Sequence, residues 1–361
     1  MFDNSVRVKH FTFKENDEIK LHEYHAILEE IQMIEILSRV LCALPVSVAL
    51  MATPAAAQAP AAPAPESFPA WAYPWVPDFP VPAPTDTPQH LPGSGAAVSW
   101  TQARDLFYAP DWHPEDHGPM PDVVKAGRKP DVRACGSCHR AEGTGGPENA
   151  SLAGLPVAYF TRQIADFKSG ARKFSGPQRS PVLLMNASVK TMTDEEVKAA
   201  ADYYSSLKPK RIIKVVESET VPKNYIARVF FARRAEGGVE PLGKRIVEMP
   251  DDVEQFELRD ARAQFTAYVP VGSIAKGESL VKTGGAGVTA PCGICHGPDL
   301  KGVGAIPGIA GCSPSYIARQ LYDFQQGARA GSSSALMAPT VAKLTQDDMI
   351  ALAAYVSSRE P

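Results

Sequence analysis

The chain repeats itself. "VVKAGRKPDVRACGSCHR" at 123–140 aligns with "LVKTGGAGVTAPCGICHG" at 280–297, and "YFTRQIADFKSGAR" at 159–172 aligns with "YIARQLYDFQQGAR" at 316–329, both at an offset of 157. After a five-residue difference, the stretch from Met185 aligns with the stretch from Met337. A repeat of this length means two homologous domains, and 361 residues are enough for two ordinary cores. What lies between the copies belongs to neither and is a distinct insert.

Each copy reads as helical. Tyr159, Gln163, Ile164 and Phe167 recur at helix spacing, as do Tyr316, Gln320, Leu321 and Phe324, with Gly170 and Gly327 as stops. Thr193 with Glu196, and Thr345 with Asp348, make capping boxes for a last helix that buries Val197, Ala200, Ala201 and Tyr204 in the first copy. The insert instead carries short β-branched runs, "RIIKVV", "YIARVFFAR" and "KRIVEM", with a turn signal at Glu236-Gly237-Gly238. The expected fold is mainly α, two helical domains joined by a small β-rich bridge.

At the N-terminus, Arg39 precedes an apolar run from Val40 to Ala52, and small residues follow to Ala57-Gln58-Ala59. That is the pattern of a secretory signal, too short for a membrane span. Residues 1–32 are acidic and polar, which fits a signal poorly, so translation is expected to start at Met33 with cleavage after Ala59. The alternative is a cytoplasmic extension ahead of an uncleaved anchor. Residues 1–59 hold five basic and eight acidic residues, so the exported chain has 32 of each sign and gives no bulk electrostatic case for nucleic acid. The expected partition is an upstream extension (1–32), signal (33–59), Pro/Ala-rich aromatic arm (60–96), first domain (97–210), insert (211–268) and second domain (269–361). Proline density favours an extended arm, read either as a tether or, from Trp71, Tyr73, Trp75 and Phe79, as a segment lying on a domain or partner.

Six cysteines are too few for a disulfide scaffold, and four of them form the pairs Cys135/Cys138 and Cys292/Cys295, each followed by His139 or His296. Structural zinc, dithiol exchange and covalent haem attachment all use Cys-x-x-Cys, but only haem attachment needs histidine next. A four-cysteine zinc site would join two separately folded copies and leave both histidines unexplained, and thioredoxin chemistry wants a βαβ context. Two haem c groups are therefore expected, with His139 and His296 as axial iron ligands.

A methionine recurs at the matching place of each copy, Met185 and Met337, in stretches expected to be irregular, and is the candidate sixth ligand. Met192 aligns with Leu344 and Met349 with Val197, so those two read as core. Arg162 and Arg319 are candidates for the haem propionates, with exposed helix arginines as the default. His113 and His117 are read as a surface turn at Pro114, and Cys312, aligned with Leu155, as a buried apolar thiol.

These motifs resemble the class I c-type cytochromes, most closely the di-haem cytochrome c4/c553-like group, over about residues 100–210 and 269–360. The resemblance implies compact helical domains, each around one haem, passing single electrons. The family commonly has a proline before a hydrophobic-Ala-Gly turn, where a backbone carbonyl orients the proximal histidine. The second copy has "PGIAG" with Pro307, but the first has "ASLAG" with Ala150. That departure leaves the bond to His139 without its usual residue and predicts unequal potentials for the two haems.

The function expected from the sequence is a periplasmic electron carrier without catalysis of its own. It would take electrons from a dehydrogenase or quinol-oxidising complex and give them to a terminal oxidase or other acceptor. No integral membrane segment remains after signal cleavage, and peripheral association is left open. The alternatives are a di-haem peroxidase, which needs one iron with an open position, and a fixed cytochrome subunit of a dehydrogenase complex.

Overall fold

A computed structural model describes residues 68–361. The expectations for Met33, the signal at 33–59 and Cys42 lie outside these described residues. Among them no helix is long and apolar enough to cross a membrane.

The first domain carries helices α1 (Trp100–Arg104), α2 (Asp122–Lys125), α3 (Cys135–His139), α4 (Val157–Ser169), α5 (Ser180–Thr191) and α6 (Asp194–Ser206). In α4 the helical period buries Phe160, Gln163 and Ile164, and Gly170 ends the helix in the left-handed region at φ 75°. Thr193 and Glu196 close a reciprocal capping box at the start of α6. The core is formed by Val124, Val132, Phe160, Ile164, Val189 and Tyr204, with Met185 packed against it.

Between the domains, α7 (Val253–Glu257) accompanies strands that include β3 (Ile213–Glu217), β8 (Val247–Pro250) and β9 (Phe265–Val269), following the short β1 (Pro88–Gln89) and β2 (Val98–Ser99). β9 pairs parallel with β3 and antiparallel with β8. Strands β5 (Asn224–Ala227) and β6 (Phe230–Arg233) form a hairpin between β4 (Thr220–Pro222) and its partner β7 (Val239–Pro241). The β-branched run "YIARVFFAR" is therefore folded in two at Arg228, a non-glycine residue at φ 61°.

The second domain repeats the helices as α8 (Ser273–Thr283), α9 (Gly293–His296), α10 (Pro314–Gln325), α11 (Ser334–Val341) and α12 (Gln346–Ser357). The copies differ at the first of these. α8 has eleven residues, whereas α2 has four, because Pro119 and Pro121 stand where the helix would begin. α8 crosses α12 at Gly277, where a Cβ would lie 2.0 Å from the Ala351 carbonyl oxygen.

Two local expectations are corrected. The methionine stretches are helical, α5 and α11, rather than irregular. Pro181 sits in the first turn of α5, where its missing N–H costs nothing, and Pro339 is tolerated inside the short α11. The expected surface turn at Pro114 is present, with Pro114 and Glu115 exposed, but the histidines that flank it are turned inward. His113 is buried 3.2 Å from Asp260, and His117 lies edge-on to Tyr203 with Nε2 3.2 Å from Asp111.

The arm is packed rather than free from Phe68 to Phe79, and residues 80–88 are exposed. Tyr73 is buried and donates its hydroxyl to Asp323 Oδ1 at 2.9 Å, Phe68 and Tyr322 lie against its ring, and Phe79 stacks on Tyr225.

The insert grips both domains. Trp112 Nε1 donates to the Leu258 carbonyl at 2.8 Å, and on the other side Glu248 accepts from Ser313 Oγ at 2.7 Å. Asp116 receives Lys210 at 2.6 Å and Arg262 at 2.7 Å, joining the first domain to the insert.

Two predictions follow from this packing. Ala in place of Gly277 would favour an isolated helix by about 1 kcal/mol, but here its methyl must push α8 off α12 at a cost of about 1–3 kcal/mol. Thermal unfolding of Gly277→Ala should therefore show a lower Tm, and an unchanged or higher value would mean the helices part freely. At Asp116, partial burial opposes ionisation, but the hydrogen bonds from Lys210 and Arg262 outweigh it and hold the carboxyl below its ordinary 3.8. Its contribution is thus present above that ordinary value and lost as pH falls through the lower folded value. Asp116→Asn should lower stability by about 1 kcal/mol at neutral pH and narrow the gap to the native chain in acid. A gap that stayed constant down to pH 2, on the order of the protonated range, would refute the ion-pair account.

Candidate functional site

Each Cys-x-x-Cys-His forms a single helical turn, α3 or α9, and the chain leaves it through a left-handed residue, Arg140 at φ 70° or Gly297 at φ 84°. Glycine adopts that conformation freely, but arginine must be held there. Arg140 donates Nη1 to the Cys138 carbonyl at 3.0 Å, lies 5.2 Å from the Phe256 ring centroid and stands 3.7 Å from Glu148.

The two proximal histidines are oriented identically. His139 Nδ1 is 2.8 Å from the Ala150 carbonyl oxygen, and His296 Nδ1 is 2.8 Å from that of Pro307. A carbonyl only accepts, so Nδ1 carries the proton and the Nε2 lone pair faces the cavity. Burial also pushes both imidazoles down in pKa, against the backbone hydrogen bond, which favours the neutral form that ligates iron. The departure at Ala150 therefore does not remove the bond. The acceptor belongs to the backbone, and the turn places it without the proline.

Cys135, Cys138, His139 and Met185 line one continuous cavity together with Cys292, Cys295, His296 and Met337. The remaining wall is largely apolar, including Leu152, Phe160, Leu321 and Phe324. Burial pushes the Cys135 thiol up to about 12 and Cys292 to about 11. Both behave as packed apolar groups, and all five described cysteines are free of disulfides. Cys312, expected as a buried thiol, is half-buried at the same wall, and burial raises it also to about 12.

The donor set fits haem c. Two thiols and an imidazole stand on one helical turn, and a thioether comes from a separate helix. Buried guanidinium nitrogens without hydrogen-bond partners among the described residues, Arg172 Nε and Arg179 Nε and Nη1, belong to residues of the same wall.

The two halves are joined by a reciprocal network. Gln163 Oε1 accepts from Arg172 at 2.8 Å and from Arg329 at 2.8 Å, and Gln320 Oε1 accepts from the same two arginines at 3.1 Å each. Arg172 also donates to Tyr316 Oη at 3.1 Å, and Arg329 to Tyr159 Oη at 3.4 Å. The backbones meet alongside, Lys173 N donating to Ala328 O and Ala330 N to Ala171 O, both at 2.7 Å. Sequence reading took the glutamines as helix positions and gave the arginines no role. The signal that could have found them was the shared "GAR" ending of both aligned segments.

Arg162 and Arg319 are not free helix arginines. Arg319 is 3% exposed and donates to the carbonyls of Ala72 and Pro147, tying the arm and the first domain to α10. Arg162 donates to Ser333 Oγ at 2.5 Å, across to the second domain.

The copies differ in cover. In the first, Ser137 is 2% exposed, and a Cβ on Gly136 would lie 2.6 Å from Ala109 Cβ. In the second, the matching Ile294 is 75% exposed and the nearest atom to a Cβ on Gly293 is 3.6 Å away.

Comparison with known proteins agrees with this geometry. The cytochrome c family model matches residues 124–208 and 275–360. Cytochrome c-554(548) of Halomonas halodenitrificans is 34% identical over 25% of this chain and 99% of its own length. Cytochrome c4 of Azotobacter vinelandii is 32% identical over 33% of this chain and 63% of its own. The thiosulfate dehydrogenase electron acceptor of Stutzerimonas stutzeri is 26% identical over 65% of this chain and 83% of its own. With two matched domains and two such sites, the chain belongs to the cytochrome c family, as a di-haem, cytochrome c4-like electron-transfer protein with two covalently bound haem c groups.

Proposed function

We propose that this chain is an exported, periplasmic electron carrier in which Cys135 and Cys138 bond one haem and Cys292 and Cys295 the other. His139 with Met185, and His296 with Met337, would hold the two haem irons. The observation that carries this reading is that both complete donor sets face one cavity across a shared wall of Gln163, Arg172, Gln320 and Arg329. The bound group supplies reversible one-electron chemistry at iron. The chain would contribute fixed imidazoles and two methionine thioethers to hold the iron, and a largely apolar wall.

A methionine at each site speaks for the carrier and against a peroxidase, which needs an open position at one iron. A relative named as the electron acceptor of thiosulfate dehydrogenase supports a dehydrogenase as donor, with either a free carrier or a subunit of its complex as the arrangement. The bridge at 211–268 serves to hold the domains and to cover the first Cys-His turn, leaving Ile294 and its surroundings as the face for partner exchange.

Purified after expression with a cytochrome maturation system, the chain should hold two haems and show the methionine–iron charge-transfer band. Met185→Ala or Met337→Ala should each remove about half of that band and lower one midpoint, since thioether opposite imidazole raises the potential. Retention of the full band in either variant would disprove that ligand. Ile294→Glu should slow reduction by a dehydrogenase partner severalfold while leaving both midpoints in place, and an unchanged rate would locate exchange elsewhere.

A further inference from the structure

The two copies treat one surface in opposite ways. In the first, the insert lies on the Cys-His turn and the loop after it. A Cβ on Gly146 would stand 3.3 Å from the Phe256 ring, and Glu148 is buried 3.7 Å from both Arg140 and Arg259. At the offset of 157, Ser137 becomes Ile294, Arg140 becomes Gly297, Gly146 becomes Val303 and Glu148 becomes Ala305. Ile294 is 75% exposed and Val303 57%. Polarity therefore runs against exposure: the covered copy carries serine, arginine and glutamate, and the bare copy carries isoleucine and valine. A surface that only met water would gain nothing from that exchange.

The two exposed side chains belong to one face. Ile294 stands on α9 between the paired cysteines. Val303 lies in β10 (Gly302–Val303), which pairs with β11 (Ile306–Pro307), and the Pro307 carbonyl holds His296. A Cβ on Gly297, at the end of α9, would meet Val303 Cγ2 at 3.3 Å. Charge is sparse all around. From 284 to 318 the chain has only Asp299 and Lys301, whereas the matching 127–161 holds seven charged residues. Asp299 Oδ1 accepts from Lys301 N at 3.2 Å, and Lys301 Nζ donates to the Pro361 carbonyl at 3.0 Å. Helix α11, tied on where Thr289 Oγ1 donates to the Thr340 carbonyl at 2.8 Å, has no charged residue.

We propose that α9 and the β10–β11 hairpin form a docking face for a redox protein whose own contact surface is apolar and uncharged, so that salt does not weaken the encounter. This rests on the electron-carrier reading above and adds the chemistry of the partner. A charged side chain pressed on this face would lose its water and find no counter-charge. At the matching place in the first copy the occupant is the Phe256 ring, an apolar side chain laid on the turn and its loop. A patch of a few side chains suits a transient encounter at the small end of interface size rather than a lasting pair of two copies.

The test uses the full chain adsorbed on gold bearing methyl-, carboxylate- or amine-terminated alkanethiol monolayers. Haem content and the methionine–iron band are measured first, so that a failure of the two-haem reading is seen separately. Electron exchange, followed by voltammetry, should be fastest on the methyl surface. There it should change by less than about twofold between about 0.01 and 1 M salt, although the screening length falls from about 30 to 3 Å. Ile294→Glu and Val303→Glu should each slow it severalfold with both midpoints in place. Val303→Glu carries the test if Ile294→Glu, inside the attachment motif, does not load haem. Val239→Glu, at a 60% exposed valine of β7, should leave the rate unchanged. Faster exchange on a charged surface, abolished by salt, would overturn the proposal, as would a Val303→Glu rate equal to that of the native chain. The native chain should sediment as a monomer, and a dimer dissociated by Val303→Glu would give the face to a second copy instead.

Discussion

Two buried guanidiniums set the architecture. Arg172 and Arg329 come from opposite copies, and each donates to glutamine and tyrosine oxygens from both. Neither could be buried in an isolated domain without losing acceptors, and an unsatisfied buried charge is far costlier than the net gain from a satisfied one. The helices α4 and α10, which carry the glutamines, are thereby fixed side by side, and with them the cavity walls on either side. Each copy completes the polar inventory of the other.

Symmetry ends at the periphery. The insert, α7 and the stretch around Ala109 cover the first Cys-His turn, while the second presents Ile294 to solvent. Arg179 and the arm add a cation and its cover on one side of the molecule. Environment therefore differs between the two sites although their candidate ligands match, and desolvation and local charge are the quantities that tune a metal centre once its ligands are fixed. The expected source of inequality, the missing proline at Ala150, is not one of them: the carbonyl stands at the same 2.8 Å in both copies.

Several features were legible in the chain because they are local. Capping boxes at Thr193 and Thr345, the stop at Gly170 and the donor spacing of Cys135 to His139 all depend on neighbours within a turn. The hairpin turn at Arg228 was not, because nothing in Ala227-Arg228-Val229 favours a positive φ, and pairing of β5 with β6 imposes it. The helical state of Met185 and Met337 was obscured by Ser-Pro and Ser-rich stretches that also suit irregular chain. His113 read as exposed because the insert that buries it through Asp260 lies about 150 residues further along.

The sequence by itself determined the number of haem sites, the candidate residues for each, and the helical character of the domains around them, since these follow from spacing and from comparing one copy with the other. Only the tertiary structure decided that Arg172 and Arg329 cross between copies, that Ala150 does the work of a proline, that the arm lies on α10, and that Arg179 Nε and Nη1 are buried without hydrogen-bond partners among the described residues. Those outcomes depend on which backbone carbonyls and side-chain oxygens arrive from distant segments. A burial cost can be assessed only once the chain has closed around it.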